Sequence, residues 1–237
     1  MAGNNQYFGI KVQQWFKSYI LPGLIFQSAL VGGAYGSGQE LAEFFLPFGP
    51  GGGLLGIGIS TILFSLVLAA SYEFARVFRL YDYRSFCKGL LGRFWPIYEI
   101  LFVLVMILII SVVGAASGRL FEATFALPAI VGTIGIVVLI ALLVFFGNKG
   151  MERALAIWSF VLYGAYGLFL YWNINQFGEE IRASISIFEV KEGWGLSGLK
   201  YAGYNLALVP ILLFVIRHLK TRREAVGAGL IAGLIGM

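Results

Sequence analysis

Apolar residues run through this chain in blocks too long for the strands and half-buried helices of a water-soluble core. Residues 101–117 and 123–148 contain no charged side chain. A helix rising 1.5 Å per residue needs about 20 mostly apolar residues to cross roughly 30 Å of hydrocarbon. The blocks predict membrane spans at 19–46, 53–78, 97–117, 126–147, 153–174 and 201–218, with a seventh opening at 225 and incomplete at 237. Residues 1–237 read as a single all-α transmembrane domain. Aromatic residues sit near many span ends, among them Trp15, Tyr19, Trp95, Tyr98, Tyr171, Trp172, Trp194 and Tyr201. Their amphipathic rings favour the headgroup level.

Two polar stretches fall outside the spans. Residues 6–18 place Phe8, Val12 and Trp15/Phe16 at helical spacing, which predicts an interfacial helix before the first span. Residues 179–195 form the longest connection, where Ile181, Ile185 and Phe188 suit one face of a short helix and Ile185 and Ile187 also suit a strand. We expect the short helix, lying over the outer face.

The first span is interrupted by composition. Gly32, Gly33, Gly36 and Gly38 fall within seven residues, followed by Gln39 and Glu40. Each glycine costs a helix interior about 1 kcal/mol relative to alanine. One account is a small-xxx-small packing face carried by Gly32 and Gly36. The other is an unwound segment whose freed backbone groups line a cavity. The density of glycines favours the second. In the sixth span, Gly203 and Asn205 precede Pro210, and a proline removes one intrahelical hydrogen bond and clashes with the turn before it. The first and sixth spans begin on opposite sides of the membrane. They therefore read as corresponding members of two inverted five-helix units, an arrangement that points to a binding site at the interruptions. A glycine-rich span follows each, with Gly51, Gly52, Gly53, Gly56 and Gly58 in one half and Gly227, Gly229, Gly233 and Gly236 in the other.

Composition agrees: 59% of the 237 residues are hydrophobic and only 12% are charged, against about 25% charged in soluble domains. The formal charge of +5 needs no nucleic acid to explain it. Of the 17 Lys and Arg residues, only Arg119, Arg182, Lys191 and Lys200 fall on one side of the expected membrane. The basic side faces the cytoplasm, so the N-terminus is cytoplasmic and the chain is a multi-pass protein of the inner (cytoplasmic) membrane. The single cysteine, Cys87, reads as an incidental loop thiol. The opening residues are too polar for a cleavable signal peptide.

The run Gly36-Ser37-Gly38-Gln39-Glu40, followed by Phe44-Phe45 and Phe48-Gly49, resembles the YkvI-type bacterial membrane proteins. Further matches are Tyr72-Glu73, Leu91-Gly92, Tyr204-Asn205 through Pro210, and His218 to Glu224-Ala225. The resemblance covers most of the chain. It implies relation to the amino acid–polyamine–organocation and sodium symporter superfamily, and hence a LeuT-like inverted-repeat helix bundle. Such a core has ten helices in two fives. The chain supplies the first unit and the start of the second, and is expected to be truncated. An eighth span, which in that fold completes a sodium site against the first, is not in it.

Glu40 is the most informative titratable residue. A carboxylate at membrane depth needs a cavity or a partner, which suits ion ligation, proton coupling or pairing with a substrate amine. A structural hydrogen bond to neighbouring backbone is the plainer role. Ser37, Asn205 and the carbonyls of Gly32 to Gly36 are hard oxygen donors suited to a small cation. The expected substrate site comprises Gly33, Ala34, Tyr35, Gly36, Ser37, Gly38, Tyr204 and Asn205, and the expected ion or proton site Gly32, Ser37, Glu40 and Asn205. Ser111 and Ser117 more simply bond carbonyls of their own helix, and His218 reads as a solvated loop residue. Gly51-Gly52-Gly53-Leu54-Leu55-Gly56 matches a dinucleotide-binding pattern in letters only, because that motif needs a strand before it.

The expected function is a secondary active transporter of a small organic solute, an amino acid or similar zwitterion, coupled to Na⁺ or H⁺ by alternating access. The preference for a zwitterion comes from half-helix N-termini, which attract carboxylates. No enzyme activity is expected, since no catalytic constellation is present, and no cofactor beyond the coupling ion. The partners expected are the small-molecule substrate and the lipid bilayer, with no nucleic acid and homo-oligomerisation left open. The alternative is a non-transporting sensor or partner subunit on a transporter-like fold.

Overall fold

The computed structural model describes residues 11–33 and 39–237, without the side chains of Asn148 and Ile211. Helix is the dominant structure, and no strand occurs among the described residues. A wide helical turn at Phe16–Ile20 leads into α1 (Leu21–Gly33). Then come α2 (Gln39–Phe44), α3 (Gly49–Phe78), α4 (Tyr83–Leu91), α5 (Trp95–Phe125), α6 (Ala129–Phe145), α7 (Gly147–Ile187), α8 (Trp194–Asn205), α9 (Val209–Leu212) and α10 (Arg222–Gly236). By length and composition, three stretches are apolar enough to cross a membrane: Gln39–Phe78, Tyr83–Phe125 and Lys149–Ile187. A shorter apolar helix covers Ala129–Phe145.

The chain, read above as one domain, divides into two compact units. The first holds Met1–Tyr83 and Leu155–Met237, the second Arg84–Ala154.

In the first unit, α3 is the central helix. Its buried side follows the helical repeat through Gly52, Gly56, Ser60, Phe64, Leu68, Tyr72 and Ala75. Small residues here let neighbouring backbones approach. A Cβ on Gly229 or Gly233 of α10 would strike the backbone of Ala69 and Ser65 of α3. The Ser65 hydroxyl donates to Leu230 O at 3.1 Å across the same crossing. On another side of α3, a Cβ on Gly198 of α8 would lie 2.7 Å from Gly56 O. The Ser60 hydroxyl lies 2.9 Å from both Gly56 O and Gly198 O, so its single proton is shared between two carbonyls. The glycines of α10, like those of α3, serve close helix contact.

The N-terminus of α3 is capped from far along the chain. Gly51 N–H and Gly52 N–H donate to Glu189 O at 2.9 and 3.2 Å, and Lys191 N–H donates to Phe48 O at 3.0 Å. These bonds satisfy amides that a helix start leaves unpaired. Gly49, at φ 75°, and Gly51 leave the space: a Cβ on either would meet Glu189 O within 3.0 Å. The short helix expected in 179–195 corresponds to the helical segment that follows a kink at Phe177 (φ −125°, ψ 23°). That segment ends at Ile187, and 188–193 is the capping strap.

Helix α10 begins with a reciprocal cap. The Glu224 N–H donates to Thr221 Oγ1, and the Lys220 and Thr221 N–H groups donate to Glu224 Oε2. These donors, Lys220 N–H first, hold the Glu224 carboxyl below the usual carboxylate range. The cap therefore contributes at neutral pH and is lost as pH falls through and below that range. Arg76 grips Glu73 with two bonds of 2.8 and 2.7 Å and donates to Lys220 O at 3.2 Å.

In the second unit, α5 and α6 pack as a hairpin. The Thr133 hydroxyl lies 3.0 Å from Gly114 O and 3.2 Å from Ala129 O. A Cβ on Gly118 would sit 2.7 Å from Ala129 O, and one on Gly132 2.6 Å from Ser117 O. Arg84 pairs with Glu99 at 2.8 Å, and Lys88 Nζ lies 4.5 Å from the Trp95 ring. Cys87 is a buried thiol within α4 rather than a loop thiol.

Candidate functional site

Helices α2 and α8 meet in the first unit. Helix α2 carries Glu40 in its first turn and Phe44 at its end. Helix α8 carries Ser197, Tyr201, Tyr204 and Asn205. Their spacing of three to four residues places them on neighbouring turns of one side. The Ser197 hydroxyl donates to Phe44 O at 2.8 Å, tying the end of α2 to α8. Ring centroids of Phe44 lie 5.7 Å from Tyr201 and 5.8 Å from Tyr204. Tyr201 also meets Phe45 at 5.0 Å and Phe64 at 6.0 Å.

Glu40 stands beside this ring cluster. It is 8% exposed, and its Oε2 is enclosed with no hydrogen-bond donor among the described residues. The Tyr204 hydroxyl faces both the Glu40 carboxyl and the Asn205 side chain. Asn205 is buried, and its amide donates to Tyr201 O at 3.0 Å, one turn back. Any cation contact by Asn205 would fall to its carbonyl oxygen.

The helix carrying these residues changes character at Asn205. Residues Leu206–Leu208 form a tighter 3₁₀ turn, Pro210 opens the four-residue α9, and Leu213–Ile216 tightens again. Proline denies the ladder one donor, and mid-helix 3₁₀ stretches mark strain or hinges. The interruption expected from Gly203, Asn205 and Pro210 thus has a structural counterpart immediately after Asn205.

Of the expected site residues, the structure brings Glu40, Tyr204 and Asn205 together. Gly32 and Gly33 are the last residues of α1, where a helix leaves its final carbonyls without intrahelical donors. Ala34, Tyr35, Gly36, Ser37 and Gly38 lie outside the described residues. Ser111 donates to Ile107 O of its own helix at 2.8 Å, as the plainer reading has it. Among the described residues, no group of three or more His, Cys, Asp or Glu is placed to hold a metal ion. A sodium site of the expected kind would rest on backbone carbonyls and hydroxyls instead.

A second polar cluster was not anticipated. Ser28 of α1 and Ser159 of α7 are buried and in hydroxyl contact. Ser28 also lies 2.9 Å from Leu155 O, and Ser159 2.7 Å from Leu24 O. Two hydroxyls carry two protons for three contacts, so one proton is shared. Gln27 beside them is 4% exposed, and its Oε1 has no donor among the described residues. The available signal was a polar residue inside an apolar run. Phe44 and Tyr201 were missed as site neighbours because ring packing between helices has no local signature.

Comparison with known proteins gives one informative relative. Over 212 residues the chain is 24% identical to YkvI of Bacillus subtilis (strain 168), described as an uncharacterized membrane protein. The YkvI-type resemblance holds. The match covers 88% of this chain and 60% of the Bacillus protein, so the chain spans about 60% of that relative's length. No family model matches the chain, and no solved structure matches it. With three stretches long and apolar enough to cross a bilayer and a membrane-protein relative, the chain is an α-helical membrane protein.

Proposed function

We propose that the chain is the larger part of a secondary active transporter for a small organic solute, in which Glu40, Tyr204 and Asn205 contribute to the solute and coupling site. The observation that carries this reading is the meeting of α2 and α8 at a buried carboxylate, where the α8 ladder ends. A buried acid beside an interrupted helix is costly in a passive scaffold and useful in a carrier. On this reading the fold is a LeuT-like inverted repeat, completed by further sequence, in a multi-pass inner-membrane protein with a cytoplasmic N-terminus. The solute is an amino acid or similar zwitterion, and Na⁺ or H⁺ drives its uptake. No covalent chemistry is performed on the solute.

The test is uptake of radiolabelled amino acids by full-length protein in liposomes under imposed Na⁺ and H⁺ gradients. Saturable, gradient-dependent uptake is expected. Glu40→Gln is expected to lower it at least about tenfold, since hydrogen bonds to charged groups contribute about 1.5–3 kcal/mol. No uptake under either gradient would favour a non-transporting membrane component. Flux without saturation would favour a channel.

A further inference from the structure

We infer that residues 178–188, the stretch after the kink in α7, form a surface anchor that lies along the bilayer with its apolar side seated in lipid. The partner is the lipid surface at the headgroup level. The inference goes beyond the transport reading and stands whether or not the protein carries a solute.

The argument starts from where the two ends of the stretch lie. Helix α3 has 30 residues, about 45 Å at 1.5 Å each, which matches a bilayer with its headgroups. Its charged residues Glu73 and Arg76 are near its C-terminus, so its glycine-rich N-terminus reaches the opposite surface. Helix α7 carries Lys149, Glu152 and Arg153 at its start and then no charge before Glu179. That uncharged run of about 25 residues crosses the hydrocarbon once and brings Phe177 to a surface. It is the surface where α3 begins. Glu189 O accepts from Gly51 N–H and Gly52 N–H at the α3 start. The chain from Phe177 to Glu189 is helical as far as Ile187 and reaches only about 20 Å, too short to recross roughly 30 Å of hydrocarbon. Both ends of the stretch therefore sit at one headgroup level, and the helix between them runs along the membrane. Aromatic residues mark the same level. Tyr171 and Trp172 are exposed just before the kink, and a Cβ on Gly52 would lie 3.5 Å from Trp194.

The faces of this helix decide what it touches. Ile181 and Ile185 are one turn apart on one side, and both are exposed. Phe177 and Phe188, also exposed, flank them. Glu179, Glu180 and Ser186 occupy the opposite side. The apolar side continues the exposed surface of α7, where Leu168, Phe169 and Leu170 face outward from a membrane span. An amphipathic helix so placed buries its apolar side at the boundary of headgroups and acyl chains. Its polar side carries two carboxylates and no Lys or Arg, so apolar burial holds it rather than attraction to anionic lipid. The anchor in turn holds the strap that caps α3.

The experiment is electron paramagnetic resonance of full-length protein in phosphatidylcholine nanodiscs. A nitroxide is attached in turn at Ile181→Cys, Ile185→Cys, Glu179→Cys and Ser186→Cys, with native cysteines replaced by alanine. Oxygen, which concentrates in lipid, and a nickel chelate, which stays in water, report the surroundings of each label. The oxygen-to-nickel accessibility ratio is expected to be at least about threefold higher at Ile181 and Ile185 than at Glu179 and Ser186. It is expected to stay unchanged when phosphatidylglycerol is mixed in. Ile185→Asp is expected to lower the ratio at the Ile181 label at least about threefold, because a charge on the apolar side lifts it from lipid. Thermal melting in the same nanodiscs establishes that each variant is folded. Equal ratios at the four positions would place the helix in water and overturn the anchor. Exclusion of both reagents from Ile181 and Ile185 would assign that side to a protein neighbour, such as a second copy, and overturn it as well. A difference that emerges only with phosphatidylglycerol, or a folded Ile185→Asp variant with an unaltered ratio at Ile181, would overturn the apolar basis.

Discussion

Helices α3 and α5 are similar in length and apolar character, yet they meet their surroundings differently. In the most apolar stretch around α3, 33% of residues are buried, against 6% in that around α5. Along α3 the buried positions are largely Gly, Ser and Ala, and neighbouring helices approach to backbone contact there. Along α5 only Gly114 and Gly118 are buried, while Leu104, Leu108 and Val112 are exposed. Lipid tails are as apolar as leucine, so a leucine gains little by leaving lipid for protein. Helices in a bilayer associate where small side chains permit close van der Waals contact and where hydroxyls find carbonyls across the gap. Small residues, rather than large apolar ones, therefore mark the packed side of a helix in this molecule.

The largest effect is expected where the α3–α10 crossing is tightest. Gly233→Leu would drive a side chain into the backbone of Ser65, which cannot give way as a flexible side chain does. The expected cost is at least about 3 kcal/mol, the upper end of overpacking. Size-exclusion profiles of the detergent-solubilised variant should show loss of the monodisperse folded peak. A normal, thermostable peak would mean that α10 does not pack on α3 as described.

A matched pair then tests the comparison. Leu68 of α3 is fully buried, and Leu108 of α5 is 63% exposed. Leu68→Ala is expected to cost about 2 kcal/mol or more through the cavity it leaves. Leu108→Ala should stay within about 0.5 kcal/mol. Both are read as shifts in reversible unfolding in mixed micelles. Equal effects would erase the distinction between the two helices.

The smallest effect sharpens it. Helix α7 resembles α5 in its low burial, but Ser159 is wholly buried against α1. Ser159→Ala is expected to cost about 0.6 kcal/mol, the average for hydrogen bonds between membrane helices. A cost beyond about 2 kcal/mol would put the Ser28–Ser159 contact above the usual range of hydrogen bonds between membrane helices, whose largest values are about 1.7 kcal/mol.

Much of this was legible along the chain, because length and apolarity are local properties. The helical class, the membrane setting and the change in helix type near Pro210 all follow from runs and residue types that need no partner to interpret. Glu40 announced itself in the same way, as an acid beside a glycine-rich stretch in an apolar segment. The purpose of the glycines was not legible. Gly229 and Gly233 read along the chain only as part of a glycine-rich stretch, and what they make room for, contact with Ser65 and Ala69, could not be read from it. Gly49 and Gly51 make room for a strap some 140 residues away, and a missing side chain does not say what fills its place. The ring cluster around Glu40 depends likewise on α2 meeting α8, a contact between segments about 160 residues apart. The sequence by itself thus determined which segments are helical and apolar, since backbone hydrogen bonds in hydrocarbon leave few other choices. Tertiary structure decided which small residues face which neighbour, and that the Glu40 acid lies against Tyr204, because those outcomes depend on partners brought together only by folding.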